Sequence, residues 1–181
     1  DLYGSVMVNR PEQRFKGFLK LAEVKEPRHM DEDMPICAMR LGELRVDLMP
    51  DHDEVLGFSN QWYPLALETA ELVPLRENLA IRIVTPPLFI ATKLEAYKGR
   101  GKNDPLSSHD IEDILNLVDG RPELLDEVRA ADRAVQTYIA AELGKLLDND
   151  GFGNAVQSQA GNEDREARLY EHLEILAGQL D

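Results

Sequence analysis

An α+β fold is predicted: a small mixed β-sheet with flanking helices, followed by a helical C-terminal extension. Three observations predict it. Short apolar runs with strand-like alternation are confined to the first half of the chain. The pair Pro86-Pro87 then opens a segment of helical periodicity. From Pro122 onward apolar residues recur at helical spacing and strand signals cease.

The elements follow in order. Residues 2–8 favour an extended strand. Asn9-Arg10-Pro11 marks a helix start, and Phe15, Phe18, Leu19 and Ala22 repeat at helical spacing, predicting a helix over 11–24 that Pro27 ends. The polar stretch 28–35 reads as a loop. Residues 36–41 and 44–49 form a hairpin about Gly42-Glu43, with Leu44, Val46 and Leu48 on one face and Arg45, Asp47 and Met49 on the other. Pro50 and the polar cluster 51–54 stop it, and 57–63 is an aromatic-bearing turn. Residues 66–73 and 79–84 read as two more strands about the turn 76–78. A helix is predicted from Pro86 to Lys98, broken by a loop over 99–105. Ser107-Ser108 cap the next helix, with Asp110 in the place a capping box asks for, and it reaches Val118. Helices are expected over 122–130, 131–147 and 163–177, and 148–162, rich in Gly, Asn and Gln, reads as a flexible loop. The domain division expected is 1–98 for the sheet and 99–181 for the helical region.

Composition narrows the function. The chain has 181 residues, 43% hydrophobic and 30% charged, which suits a packed domain rather than a disordered one. Twenty Lys and Arg stand against 34 Asp and Glu, a net charge of −14. Broad duplex DNA binding and an anionic membrane surface are therefore disfavoured. The single cysteine, Cys37, excludes an internal disulfide and a cysteine-based zinc cage. No run of apolar residues is long enough for a spanning helix, and no secretory signal pattern opens the chain, so a reducing cytoplasm is expected. The chain begins with Asp1, directly before a strand-like run, and reads as starting inside a structural element.

Three groups of residues could carry chemistry. Asp47 lies in a strand, where a rigid backbone can fix a carboxylate as a Mg²⁺ ligand; the plainer reading is an edge-strand acid paired with Arg45 or solvent. Lys93, Lys98, Arg100 and Lys102 make a positive island in an acidic chain, with Gly99 and Gly101 beside it. Lys93, Ala96 and Arg100 share one helical stripe. That suits a phosphate site, or else a basic helix end complementing the helix dipole. Asp110 and Asp113 are neighbours on one helix face, as candidate catalytic acids or as ordinary first-turn dipole partners. His109 alone carries little, and the clusters 51–54 and 148–151 lack metal-ligand spacing.

The runs Leu44-Arg45-Val46-Asp47-Leu48-Met49-Pro50, Leu56 to Tyr63, Phe89 to Ala96, Gly99-Arg100-Gly101 and Ser108 to Ile114 resemble a bacterial branch of the nucleotidyltransferase superfamily, similar to AbiEii-type toxins with a DNA polymerase β-like fold. The resemblance covers roughly residues 1–147. It implies an enzyme that moves NMP from a nucleoside triphosphate to a hydroxyl on RNA, such as a tRNA end, or on protein, with Mg²⁺ and an antitoxin protein as partner. By that match Asp47 is the third metal-binding acid, Lys93 is the helix lysine that faces the nucleotide phosphates, with Arg100 of the positive island beside it as a further candidate contact, and Asp110 and Asp113 fall in the acidic motif that follows. The family's Asp-x-Asp pair is not found. Gly4-Ser5 is not followed by one, and the better alignment makes Asp1 the pair's second, metal-binding acid. The chain is therefore expected to be weak or inactive in transfer. The alternative is a nucleotidyltransferase-like binding or toxin–antitoxin component without catalysis.

Overall fold

The structure is a computed structural model that describes residues 3–8, 38–41, 44–50, 60–77, 79–100 and 104–178. The chain divides into two compact units, Asp1–Leu67 and Glu68–Asp181. Together the described elements are five strands, interrupted by one short helix, and then six helices, an α+β composition.

In the first unit β1 (Tyr3–Val8), β2 (Ala38–Leu41) and β3 (Leu44–Pro50) form a mixed three-stranded sheet in the order β1-β3-β2. The hairpin β2–β3 is antiparallel, with Leu41 opposite Leu44, as the spacing about residues 42–43 predicts. Strand β1 pairs with β3 in parallel, Ser5 lying opposite Asp47. Asp47 therefore stands on the central strand of this sheet, not on an edge. Gly4 and Ser5 are strand residues, paired with Val46 and Asp47, and make no turn. The expected helix over 11–24 and the cluster 51–54 lie outside the described residues.

Helix α1 (Tyr63–Thr69) occupies the start of the segment read as a strand over 66–73. Local polar chemistry decides this. The Asn60 side chain accepts from the Trp62 N–H at 3.1 Å and the Asn60 carbonyl accepts from Tyr63 at 3.0 Å, turning the chain into its first helical bond, Ala66 N–H to Trp62 carbonyl. Pro64 sits in the first turn, where a missing N–H costs nothing. The strand begins only at Glu71.

In the second unit β4 (Glu71–Arg76) and β5 (Leu79–Ile83) make an antiparallel ribbon, with a register shift between Pro74 and Arg76. The guanidinium of Arg82 reaches back to the carbonyls of Glu68 and Ala70, satisfying acceptors that the end of α1 leaves open. Six helices follow: α2 (Pro86–Arg100), α3 (His109–Gly120), α4 (Leu124–Ala130), α5 (Arg133–Leu147), α6 (Asp150–Ala160) and α7 (Glu163–Gly178). Helix α2 runs through the division expected at residues 98–99. It packs on α3, α4 and α5, while α7 lies against α3, α4, α5 and α6.

The core of this unit is a stack of helical stripes. Ile90, Ala91 and Leu94 of α2, Ile111, Ile114, Leu115 and Val118 of α3, and Ile139 and Leu143 of α5 are buried, with Leu169, Leu173 and Leu176 of α7 closing the bundle. Each set recurs at three- and four-residue spacing, so one face of each helix is apolar and its burial holds the helix in place. A paired hydrogen bond from the Arg121 guanidinium to the Glu127 carboxylate, at 2.7 and 2.6 Å, fixes the short turn between α3 and α4.

The stretch 148–162 is helical, not a flexible loop. Asn149 caps α6, its side chain accepting from the Gly151 N–H at 2.8 Å, and Gly161 ends it at φ 71°, a left-handed residue that glycine adopts without strain. Removing the cap by Asn149→Ala is expected to lower stability by about 1 kcal/mol. Denaturant unfolding followed by helical circular dichroism measures it.

Candidate functional site

Four residues singled out in the sequence meet in one ion cluster: Lys93 and Arg100 from α2, Asp110 and Asp113 from α3. Two local facts build it. Lys93 and Arg100 are seven residues apart, two helical turns, so both project from the same face of α2. Asp110 and Asp113 are three apart and share a face of α3. Helices α2 and α3 pack together, and these faces meet.

Asp110 is the centre. Its side chain is only 5% exposed, unusual for a carboxylate. The Arg100 guanidinium donates to it twice, Nε to Oδ2 at 2.8 Å and Nη2 to Oδ1 at 2.7 Å. Lys93 Nζ donates to Oδ1 at 3.3 Å. Burial by itself would raise the Asp110 pKa, but the Arg100 hydrogen bonds and the charges of Arg100 and Lys93 outweigh it and hold the carboxyl below the usual range. Asp110 is thus ionised and oriented by the two cations.

The cations differ in setting. The Arg100 side chain is 69% exposed although its fork is fixed on Asp110. Lys93 is 24% exposed, lies 5.6 Å from the centre of the Phe89 ring, and pairs outward with Asp113 at 2.5 Å. Asp113 is 43% exposed. Phe89 is not among the residues singled out by spacing; the signal that could find it is its position one helical turn before Lys93. Tyr97, one turn after Lys93, is also buried, and its hydroxyl takes no hydrogen-bond partner among the described residues. Burial, and then the charge of Asp104, push its pKa up.

The capping box expected from Ser107 and Asp110 is not formed. Ser108 is the cap, its hydroxyl accepting from the Ile111 N–H at 3.4 Å, while Ser107 donates to Asp104 at 2.7 Å. Asp110 is drawn instead to the cations of α2, where a buried carboxylate gains more than it would from one backbone N–H. Gly99 is helical, with open space where a Cβ would stand, so it makes no close backbone approach there. Gly101 and Lys102 lie outside the described residues. Lys98 turns away from the cluster to Glu95, Glu142 and the Tyr138 ring. His109 is exposed and pairs with Glu112 at 3.2 Å.

Asp47 is described by its backbone, and Asp1 lies outside the described residues. Among the described residues no three His, Cys, Asp or Glu side chains are gathered to hold a metal ion. The Asp110–Asp113 pair does not fit a Mg²⁺ site, because the Lys93 ammonium already bridges the two carboxylates. Among the described residues no helix is long and apolar enough to cross a membrane.

What the arrangement offers chemically is a pair of cations held in fixed geometry by a buried carboxylate, one of them largely open to solvent. Compared with known protein families, curated proteins and solved structures, the chain matches none.

Proposed function

We propose that the chain is a nucleotidyltransferase-like protein whose Lys93 and Arg100 bind the phosphates of a nucleoside triphosphate, taken as its Mg²⁺ complex. The observation that carries this reading is the Asp110 clamp. In a chain of net charge −14, two cations are fixed side by side on one helix face by a carboxylate that is itself buried. A guanidinium held in place by a buried carboxylate is already ordered, so an anion that meets it need not first order a long side chain. Lys93 adds a compact charge beside it. In the transfer reaction a bound Mg²⁺ would stabilise charge on the phosphates and the leaving pyrophosphate. The residue that the resemblance gives to that ion, Asp47, belongs to the first unit, whereas Lys93, Arg100 and Asp110 belong to the second.

Within this reading Asp110 orients Arg100 and Lys93, since both its oxygens accept from them. The same fact favours binding over proton transfer at Asp110, and with it a second reading, a nucleotide-binding or toxin–antitoxin component that does not catalyse transfer. An acceptor hydroxyl on RNA or protein belongs to the first reading only.

Titrating the chain with each of the four nucleoside triphosphates in Mg²⁺ tests the proposal. Binding is expected, and Arg100→Ala or Lys93→Ala is expected to weaken it tenfold or more, the loss of one charge-assisted contact. Failure of every triphosphate to bind would overturn it. Incubation with α-labelled triphosphate, RNA and protein acceptors then separates the two readings: label transferred to an acceptor supports the enzyme, binding without transfer the second.

A further inference from the structure

We propose that Asp113 is a stand-in for phosphate on Lys93: its carboxylate holds the outward side of the ammonium and must leave when an anion binds there. The inference rests on the reading of Lys93 and Arg100 as phosphate contacts.

The two acids differ in burial and in partners. Asp110 is 5% exposed and accepts three N–H contacts from two cations. Displacing it would strand a buried charge, so it stays in place. Asp113 is 43% exposed, and among the described residues its side chain makes a single ion pair, with Lys93 at 2.5 Å. A half-exposed pair with a single contact is weaker than the Asp110 clamp, and the carboxylate reaches water by rotating away from Lys93. Lys93 for its part has three equivalent donors on one point charge. One is turned to Asp110, and the carboxylate of the more exposed Asp113 lies 2.5 Å from the same ammonium. A phosphate oxygen in the place of the Asp113 carboxylate would satisfy Lys93 equally well.

Among the described residues the cluster gathers two cations and two carboxylates, whose charges balance until Asp113 withdraws. Even withdrawn, Asp113 stays one helical turn from Asp110 and repels an incoming anion. It therefore lowers affinity, and lowers it more for a more highly charged ligand. Two acids in one cluster thus act with opposite sign: Asp110 promotes anion binding by orienting the cations, and Asp113 opposes it by occupying one of them.

The experiment titrates the full chain with inorganic tripolyphosphate and, separately, inorganic phosphate. The proteins are the wild type, Asp113→Asn, Asp113→Ser, Asp110→Asn and the double variant Asp113→Asn with Lys93→Ala, each checked for native helix content. Both Asp113 variants are expected to bind tripolyphosphate about three- to tenfold more tightly, with a smaller gain for phosphate. Asp110→Asn is expected to bind more weakly. The gain should vanish on the Lys93→Ala background, which a purely structural role for Asp113 would not produce. Binding by the wild type that is unchanged or weakened in both Asp113 variants would overturn the stand-in role and leave the phosphate site standing. Absence of binding in every protein, the Asp113 variants included, would overturn the phosphate site and the stand-in with it.

Discussion

Asp110→Asn is expected to destabilise the second unit by about 1.5–3 kcal/mol at neutral pH, the scale of lost hydrogen bonds to a charged group. Asparagine keeps the shape of the side chain but removes the charge that two cations share. It also turns an NH₂ toward one of them. The cost stays below that of a fully buried broken pair, because Arg100 is 69% exposed and can take water in place of its partner. The pH dependence separates this from a packing defect. The folded-state pKa of Asp110 is depressed, so its contribution is complete above the unfolded value of about 3.9 and is lost as pH falls from there through the folded value. The gap between wild type and variant should be full above about pH 5 and close at lower pH. Urea unfolding at pH 7 and pH 3 measures it. A gap that stays constant across that range would mean that Asp110 stabilises by shape and not by charge. Glu127 and Asp119 are also depressed by arginine partners and lose stability in the same window, so only the difference between the two proteins isolates Asp110.

The same cluster shows what the sequence made legible and what it hid. Lys93, Arg100, Asp110 and Asp113 could each be picked out by spacing, because helical periodicity places residues three, four and seven apart on one face. Which face meets which is a tertiary fact. It depends on how the connection between α2 and α3 returns the chain, and no local pattern encodes that. Spacing places Asp110 in a capping box because Ser107 stands three residues before it; the cap in the structure, Ser108, is one residue along. The hairpin β2–β3 was readable from alternation and a short turn, but the parallel pairing of β1 with β3 joins segments far apart in sequence. So the central position of Asp47 was not readable. The helical start at Tyr63 is hidden in the sequence because Leu65, Ala66 and Leu67 suit either element, and the Asn60 turn that decides between them rests on two local hydrogen bonds.

Helix α6 is the sharpest case, and Phe152→Ala should cost about 3–5 kcal/mol there. Gly151 and Gly153 each disfavour a helix by about 1 kcal/mol relative to alanine, and the segment has little propensity of its own. Composition therefore argued for a loop. What holds it helical is burial: Phe152, Ala155, Val156 and Ala160 fall on one stripe and are all enclosed. That stripe packs against α3, α5 and α7. Gly153 serves the same contact, since a Cβ there would stand 3.1 Å from the Tyr170 hydroxyl. A side-chain hydrogen bond between Gln159 and Asn116 ties the far end of α6 to α3. A helix stabilised by packing and not by propensity should come apart when its largest buried side chain is removed. Phe152→Ala is thus expected to open residues 150–160 before the rest of the unit unfolds. Denaturant titration gives the free-energy loss, and limited proteolysis with mass spectrometry locates the cut. The wild type should resist cleavage in 150–160 and the variant should be cut there first. Equal cleavage of both proteins in that segment would return it to the loop its composition suggests.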